Sequence, residues 1–174
     1  MVIYPDKPIV LMGFMGSGKS TLGKALARKF KLRFTDLDRY IERETGLPVQ
    51  KIFTDQGEGA FRELEKKCLA VLLEEKPGVI AIGGGAPCNE ENIRMIKEKS
   101  LSVYVKITIG ELVRRLSASP VPRPLLAGRD QDEVEPFIAS LLKTREKYYS
   151  QADIILESDC LTAEALERAI LPSF

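Results

Sequence analysis

The sequence predicts an α/β fold: one domain in which helices cover both faces of a parallel sheet, as three α/β/α layers. Three observations point there. Short apolar runs alternate along the chain with stretches of helical periodicity. The first run ends in a glycine-rich turn that opens directly into a helical pattern. A chain of 174 residues with 44% hydrophobic content suits a single core, burying about 70% of the surface that the unfolded chain exposes.

The first predicted strand is "PIVLMGF" (8–14), apolar throughout, as a parallel strand covered on both faces must be. A helix is predicted over 19–30. "LRFTD" (32–36) is a weaker second strand, and "RYIERETG" after it reads as a short helix. "TDQGEG" is turn-like, and a helix follows over 58–75. "VIAI" (79–82) is the third strand, 89–98 a helix, "LSVYVKI" (101–107) the fourth strand, and 110–117 and 133–149 two more helices. "DIIL" (153–156) is the last strand. "LTAEALERAI" (161–170) is a final amphipathic helix with Leu161, Ala165, Leu166, Ala169 and Ile170 on one face.

One segment breaks this alternation. "SASPVPRPLLAGRD" (117–130) carries prolines at alternate positions, and proline lacks the amide hydrogen that helices and ladders need. Structureless loops of that length serve as lids or stay disordered. The expected organisation is therefore one domain over 1–174 with a mobile lid at about 117–130.

Composition excludes several classes. Twenty-six basic and 25 acidic residues leave a net charge of +1, so no basic stripe invites a nucleic acid or a membrane surface. The chain has no histidine. Any general base must then be a carboxylate or lysine, and the commonest metal ligand is missing. Cys68, Cys88 and Cys160 are widely spaced and form no CxxC pair, which fits reduced thiols. No apolar run approaches the ~20 residues of a spanning helix. "IVLMGFM" has no basic segment before it and no small-residue cleavage site after it, unlike a signal peptide. The expectation is a soluble, cytoplasmic protein, and a monomer, since nothing in the sequence requires a partner chain.

"GFMGSGKST" (13–21) contains G-x-x-x-x-G-K-[ST] as Gly13, Gly18, Lys19 and Ser20, between a predicted strand and a predicted helix. Such a loop wraps nucleotide phosphates in backbone N–H groups, so bulky side chains must be absent at the closest approach. The expected nucleotide-binding residues are Gly16, Ser17, Gly18, Lys19, Ser20 and Thr21. Lys19 supplies charge to the β- and γ-phosphates, and the Ser20 hydroxyl coordinates Mg²⁺. No N-K-x-D or D-x-x-G of a GTPase switch occurs, and the helix signature of ABC transporters is absent. A small kinase holding its acceptor in the same domain remains.

The acceptor residues are individually ambiguous. In "FTDLD", Asp36 and Asp38 point to one cavity if the stretch is extended, but Asp38 serves equally well as a helix cap. In "FRELE", Arg62 and Glu65 share a helix face, which also suits a solvated ion pair. Arg145 sits between Lys143 and Lys147, as on any solvated face. Gly83, Gly84 and Gly85 cost chain entropy, which suggests a ligand close to the backbone or a tight helix–strand contact.

In this order GFMGSGKST, FTDLD, FRELE, IGGGAP and PRPLLAG, followed by Arg145, resemble the shikimate kinase family over nearly the whole chain. The resemblance implies a nucleoside-monophosphate-kinase-like fold with a five-stranded parallel sheet in order 2-3-1-4-5. It also implies transfer of the ATP γ-phosphoryl group to the 3-hydroxyl of shikimate, in aromatic amino-acid biosynthesis, with Mg²⁺. By resemblance, a substrate segment spans about 36–66, and Arg62 and Arg145 clamp the carboxylate. Asp38 accepts from ring hydroxyls, the Gly83–Gly85 region donates, and Glu65 holds Arg62. Asp36 lies near Mg²⁺ and the reacting hydroxyl, with a metal-binding and proton-accepting part. Arg123, between two prolines of the lid, reaches the transferring phosphoryl group, and Arg115 resembles an adenine-side arginine. The segment 158–161 is expected beside adenine through its backbone. A kinase of the same fold for another polyol acid, such as gluconate, is the nearest alternative. A nucleotide-binding module without chemistry is the alternative from another class.

Overall fold

The computed structural model describes residues 6–75, 77–119, 126, 128, 130–159 and 161–173. Five strands form one parallel sheet: β1 (Ile9–Met12), β2 (Arg33–Asp36), β3 (Gly78–Ala81), β4 (Leu101–Lys106) and β5 (Ile154–Glu157). Their order is β2-β3-β1-β4-β5. The helices among the described residues are α1 (Lys19–Phe30), α2 (Leu37–Thr45), α3 (Val49–Glu74), α4 (Glu90–Lys99), α5 (Ile109–Ala118), α6 (Gln131–Tyr149) and α7 (Ala163–Ile170). None of them is long and apolar enough to cross a membrane.

The apolar first run becomes the central strand. All four residues of β1 are fully buried, and successive side chains serve opposite faces. Val10 and Met12 join Leu37, Ile41, Leu69 and Ile96 of α2, α3 and α4 on one side. Ile9 and Leu11 join Leu22 and Leu26 of α1 and Leu166 and Ile170 of α7 on the other. A third cluster joins Phe14 and Tyr104 to α5 and α6 through Leu112, Ile138 and Tyr149. These faces complete the three layers. The C-terminal ends of β1 and β3, side by side in the sheet, carry the glycine loops.

Local chemistry departs from the sequence reading in two places. β2 ends at Asp36, and Asp38 already lies in the first turn of α2, so strand alternation does not bring the two carboxylates together. Asp36, not Asp38, caps α2 by accepting from the Arg39 amide at 3.4 Å. The second difference is α3, which begins at Val49 rather than near residue 58. The turn-like "TDQGEG" interrupts it only at Gly57, whose φ of 83° and ψ of 169° suit glycine alone. Most of the predicted lid, about 117–130, lies outside the described residues, and Arg123 and Cys160 lie outside them too.

Candidate active site

The phosphate loop is held in shape by its glycines and by an inward-turned lysine. Gly13 has φ 146°, and a methyl group there would lie 2.6 Å from the Val105 carbonyl oxygen, a backbone atom that cannot step aside. Gly18 caps α1 with φ 94° and no side-chain bond. The first backbone bond at this end of α1 is from the Leu22 amide to Gly18 O, at 2.9 Å. The amides of Gly16, Gly18 and Ser20 have no backbone acceptor among the described residues. They meet the positive end of the helix dipole, which favours an anion there. Lys19 is buried, with its ammonium donating to Gly13 O at 2.9 Å and Phe14 O at 2.7 Å. Ser17 is buried inside the loop, its amide donating to Phe14 O at 3.3 Å.

Ser20 and Asp36 meet across the gap between α1 and the end of β2. The Ser20 hydroxyl donates to Asp36 Oδ2 at 2.6 Å. Both belong to a cavity of about 320 Å³ that also takes in Gly16, Gly18, Lys19, Thr21, Asp38, Ile82, Gly83 and Gly84. A larger hollow of about 540 Å³ runs along the free edge of β2 past Lys24, Arg33 and Arg43. That hollow touches Ser20 and Asp36 but none of the remaining loop glycines, so the smaller cavity is the better candidate. Among the described residues, no cluster of three or more cysteine or acidic side chains could hold a metal alone. The Ser20 and Asp36 oxygens are nevertheless hard donors of the kind Mg²⁺ takes along with phosphate oxygens and water.

The triple glycine is the centre of the acceptor half. Each of its residues faces a different charged group. A methyl group on Gly83 would lie 3.3 Å from Asp38 Oδ1 and 3.4 Å from Glu65 Oε1. On Gly84 it would lie 3.2 Å from Arg145 Nη1, and on Gly85 2.6 Å from Arg62 Nη2. Among the described residues, no hydrogen bond leaves the amides of Gly83, Gly84 or Gly85. The run therefore admits two guanidiniums and two carboxylates to its surface while keeping its own donors open.

Electrostatics hold these groups in place. Arg62 donates to Glu65 at 2.8 Å and to Glu58 at 3.1 Å, and its guanidinium lies over the Phe53 and Phe61 rings. Burial works against its charge, but the two carboxylates outweigh that and lift its pKa above the ordinary value. Glu65 is almost fully buried. Burial pushes its carboxyl up, and Arg62 pulls it back. Asp38 is raised above the usual carboxylate range, first by burial and then by Asp36. Arg145 lies over the Phe14 ring at 5.6 Å, with no carboxylate in ion-pair contact among the described residues.

Arg115 closes the other side of the phosphate loop. It donates to Ser17 O at 3.3 Å and to Asp159 O at 2.8 Å, and Glu111 accepts from its Nε at 2.6 Å. Hydrogen bonds from Arg114 and Arg115 hold the Glu111 carboxyl down at about 2. The Asp159 carboxylate accepts from the Thr108 amide and hydroxyl, both at 2.9 Å, which ties the segment after β5 to the start of α5.

The sequence-predicted residues thus converge, apart from Arg123, which lies outside the described residues. Sequence reasoning missed Tyr149. Its hydroxyl donates to Gly84 O at 2.5 Å, and its position four residues after Arg145 on α6 was the available signal. It also missed Thr108 and Asp159, whose pairing is not local.

Comparison with known proteins finds relatives that span nearly the whole chain. The family model for shikimate kinase matches residues 15–172. A shikimate kinase of Parabacteroides distasonis is 39% identical over 159 residues, covering 91% of this chain and 92% of that protein. A crystal structure of shikimate kinase from Bacteroides thetaiotaomicron superposes with TM-score 0.86 at 37% identity, covering 96% of each chain. One from Acinetobacter baumannii, in complex with shikimate, gives 0.85 at 33% identity, covering 96% of this chain and 92% of that one. A gluconokinase from Sinorhizobium meliloti, at 17% identity and TM-score 0.60, shares the fold alone.

Proposed function

The chain belongs to the shikimate kinase family, and from that premise we propose how its own residues carry out the reaction. It is an ATP-dependent phosphotransferase acting on shikimate: the bond from the γ-phosphorus to the β–γ bridging oxygen breaks, ADP leaves, and a new P–O bond forms at the ring 3-hydroxyl. The observation that carries the assignment of parts is the Gly83–Gly85 run. It lies beside the phosphate loop, and a methyl group on each successive glycine would meet Asp38, Arg145 and Arg62 in turn.

The loop amides and the α1 terminus bind the triphosphate. Lys19 exchanges its carbonyl partners for phosphate oxygens. Ser20 and Asp36 would hold a divalent cation, proposed as Mg²⁺, which would supply positive charge against the transferring phosphates. Asp36 also stands to take the hydroxyl proton, a modest contribution in a loose transition state. Arg62 and Arg145 grip the shikimate carboxylate, a task that suits the planar guanidinium. Glu65 keeps Arg62 in its rotamer. Asp38 accepts from ring hydroxyls, and the open glycine amides donate to the ring. Arg115 lines the nucleotide side.

From the sequence alone we assign Arg123 to the transferring phosphoryl group. On the same ground we assign about 117–130 as a lid that excludes water and about 36–66 as the acceptor segment. The protein is placed in the cytoplasm as a monomer on the same ground.

The test is ADP release with shikimate, gluconate or no acceptor. Shikimate alone should support turnover, and Arg145→Ala should raise its KM roughly 10- to 100-fold, as loss of a charge-assisted contact does. Turnover with gluconate and not shikimate would overturn the assignment.

A further inference from the structure

The Tyr149 phenol is buried next to the acceptor groups, and none of the roles above uses it. Its ring is fully buried and packs on Tyr104 with centroids 5.0 Å apart. Its hydroxyl donates to Gly84 O at 2.5 Å. A methyl group on Gly84 would meet both Arg145 Nη1, at 3.2 Å, and Tyr149 Oη, at 3.3 Å. Residues four apart on a helix project from one face, so α6 delivers the guanidinium and the phenol to Gly84 together. Burial raises the phenol pKa, so the group stays a neutral donor.

We propose that Tyr149 is a positioning residue of the acceptor site, fixing the Gly84–Gly85 peptide plane so that the Gly85 amide faces the bound acid; this rests on the shikimate assignment above. In a trans peptide the N–H points opposite to the C=O of the same plane, and no cis bond occurs among the described residues. Anchoring Gly84 O on the phenol therefore aims the Gly85 amide the other way. That amide has no acceptor among the described residues, and Arg62 stands beside it. The only other donor to Gly84 O there is the Cys88 thiol, at 3.4 Å a weak one. Backbone bonds from the Ala86 amide to Gly83 O and from the Cys88 amide to Gly85 O, both 3.0 Å, hold the peptides on either side, and the phenol is the strong donor to the plane between them.

Tyr149→Phe keeps the ring and deletes the anchor. Its shikimate KM should rise about five- to tenfold, the effect of one hydrogen bond. ATP KM should stay within about twofold and kcat within about threefold of wild type. Tyr104→Phe is the control: it disturbs the same aromatic cluster but loses a bond to Glu146 instead, and should leave shikimate KM unchanged. An unchanged shikimate KM in Tyr149→Phe overturns the inference, and so does a parallel loss in both KM values and kcat. Amide hydrogen exchange of the wild type adds a readout that needs no variant. Shikimate should protect the Gly85 amide, and no protection overturns the inference. Wild-type enzyme inactive toward shikimate would remove the premise and this inference with it. An active wild type with an unaltered variant removes only the inference.

Discussion

Ser20 and Asp36 are joined by a 2.6 Å hydrogen bond from the helix that follows the phosphate loop to the last residue of the neighbouring layer's edge strand. The same carboxylate uses its other oxygen to cap α2. One side chain thus ties the nucleotide end of the site to the acceptor end.

Asp36→Asn keeps an acceptor for Ser20 but removes the charge. kcat should fall about 10²-fold or more if the carboxylate takes the hydroxyl proton, the usual scale for a general base. A magnesium titration of the steady-state rate separates the roles. If saturating metal restores kcat, the proton-accepting part is to be dropped and metal binding kept.

Asp38→Asn should abolish most activity and yet stabilise the fold near neutral pH. The folded-state pKa of Asp38 is raised by burial and by Asp36. Between its ordinary value and the raised one, the native state holds more protons than the unfolded state. Stability therefore declines as pH rises through that window, and the full penalty is present above it. The variant should melt higher at pH 7–8, by about 2–4 °C per kcal/mol recovered. The difference should vanish near pH 3, roughly below the ordinary carboxylate value. Thermal melts across pH check this, and equal melting temperatures at pH 7.5 would count against it.

Gly85→Ala places a methyl group 2.6 and 2.8 Å from the two terminal nitrogens of Arg62. The obstacle is the end of a side chain, so the fold should accommodate it while the guanidinium moves. Shikimate KM should rise about tenfold or more, with ATP KM unchanged, as expected for a displaced charge-assisted contact. Steady-state kinetics with each substrate varied in turn would show it.

Arg123→Ala should lower kcat by about 10³-fold or more, the range known for an arginine that stabilises phosphoryl transfer. Shikimate affinity, read by calorimetry, should move only a few-fold. A turnover number within a few-fold of wild type would remove Arg123 from the mechanism.

Much of this was legible in the sequence. The phosphate loop was, because its physics demands small residues at fixed spacing after a strand. Arg62 and Glu65 were, because three residues on a helix bring side chains together. The D-x-D stretch stayed ambiguous because a strand end and a helix cap look alike in so short a segment, and Asp36 is both. The first half of α3 was missed because Gly57 and Gly59 read as a turn, although only Gly57 leaves helical geometry. The pairing of each glycine with a charged group was not legible, since it depends on elements far apart in the chain. Tyr149 is separated from Gly84 by 65 positions.

β1 and β3 are neighbours in register, with Leu11 opposite Ala81. The backbone therefore leaves the sheet twice in adjacent places, and a methyl group on Gly84 would sit 3.3 Å from Gly13 O. The two glycine-bearing loops therefore start one inter-strand spacing apart, about 4.8 Å. Side chains on α2, α3 and α6 take no part in that ladder, so exchanging them leaves the starting points of both loops in place.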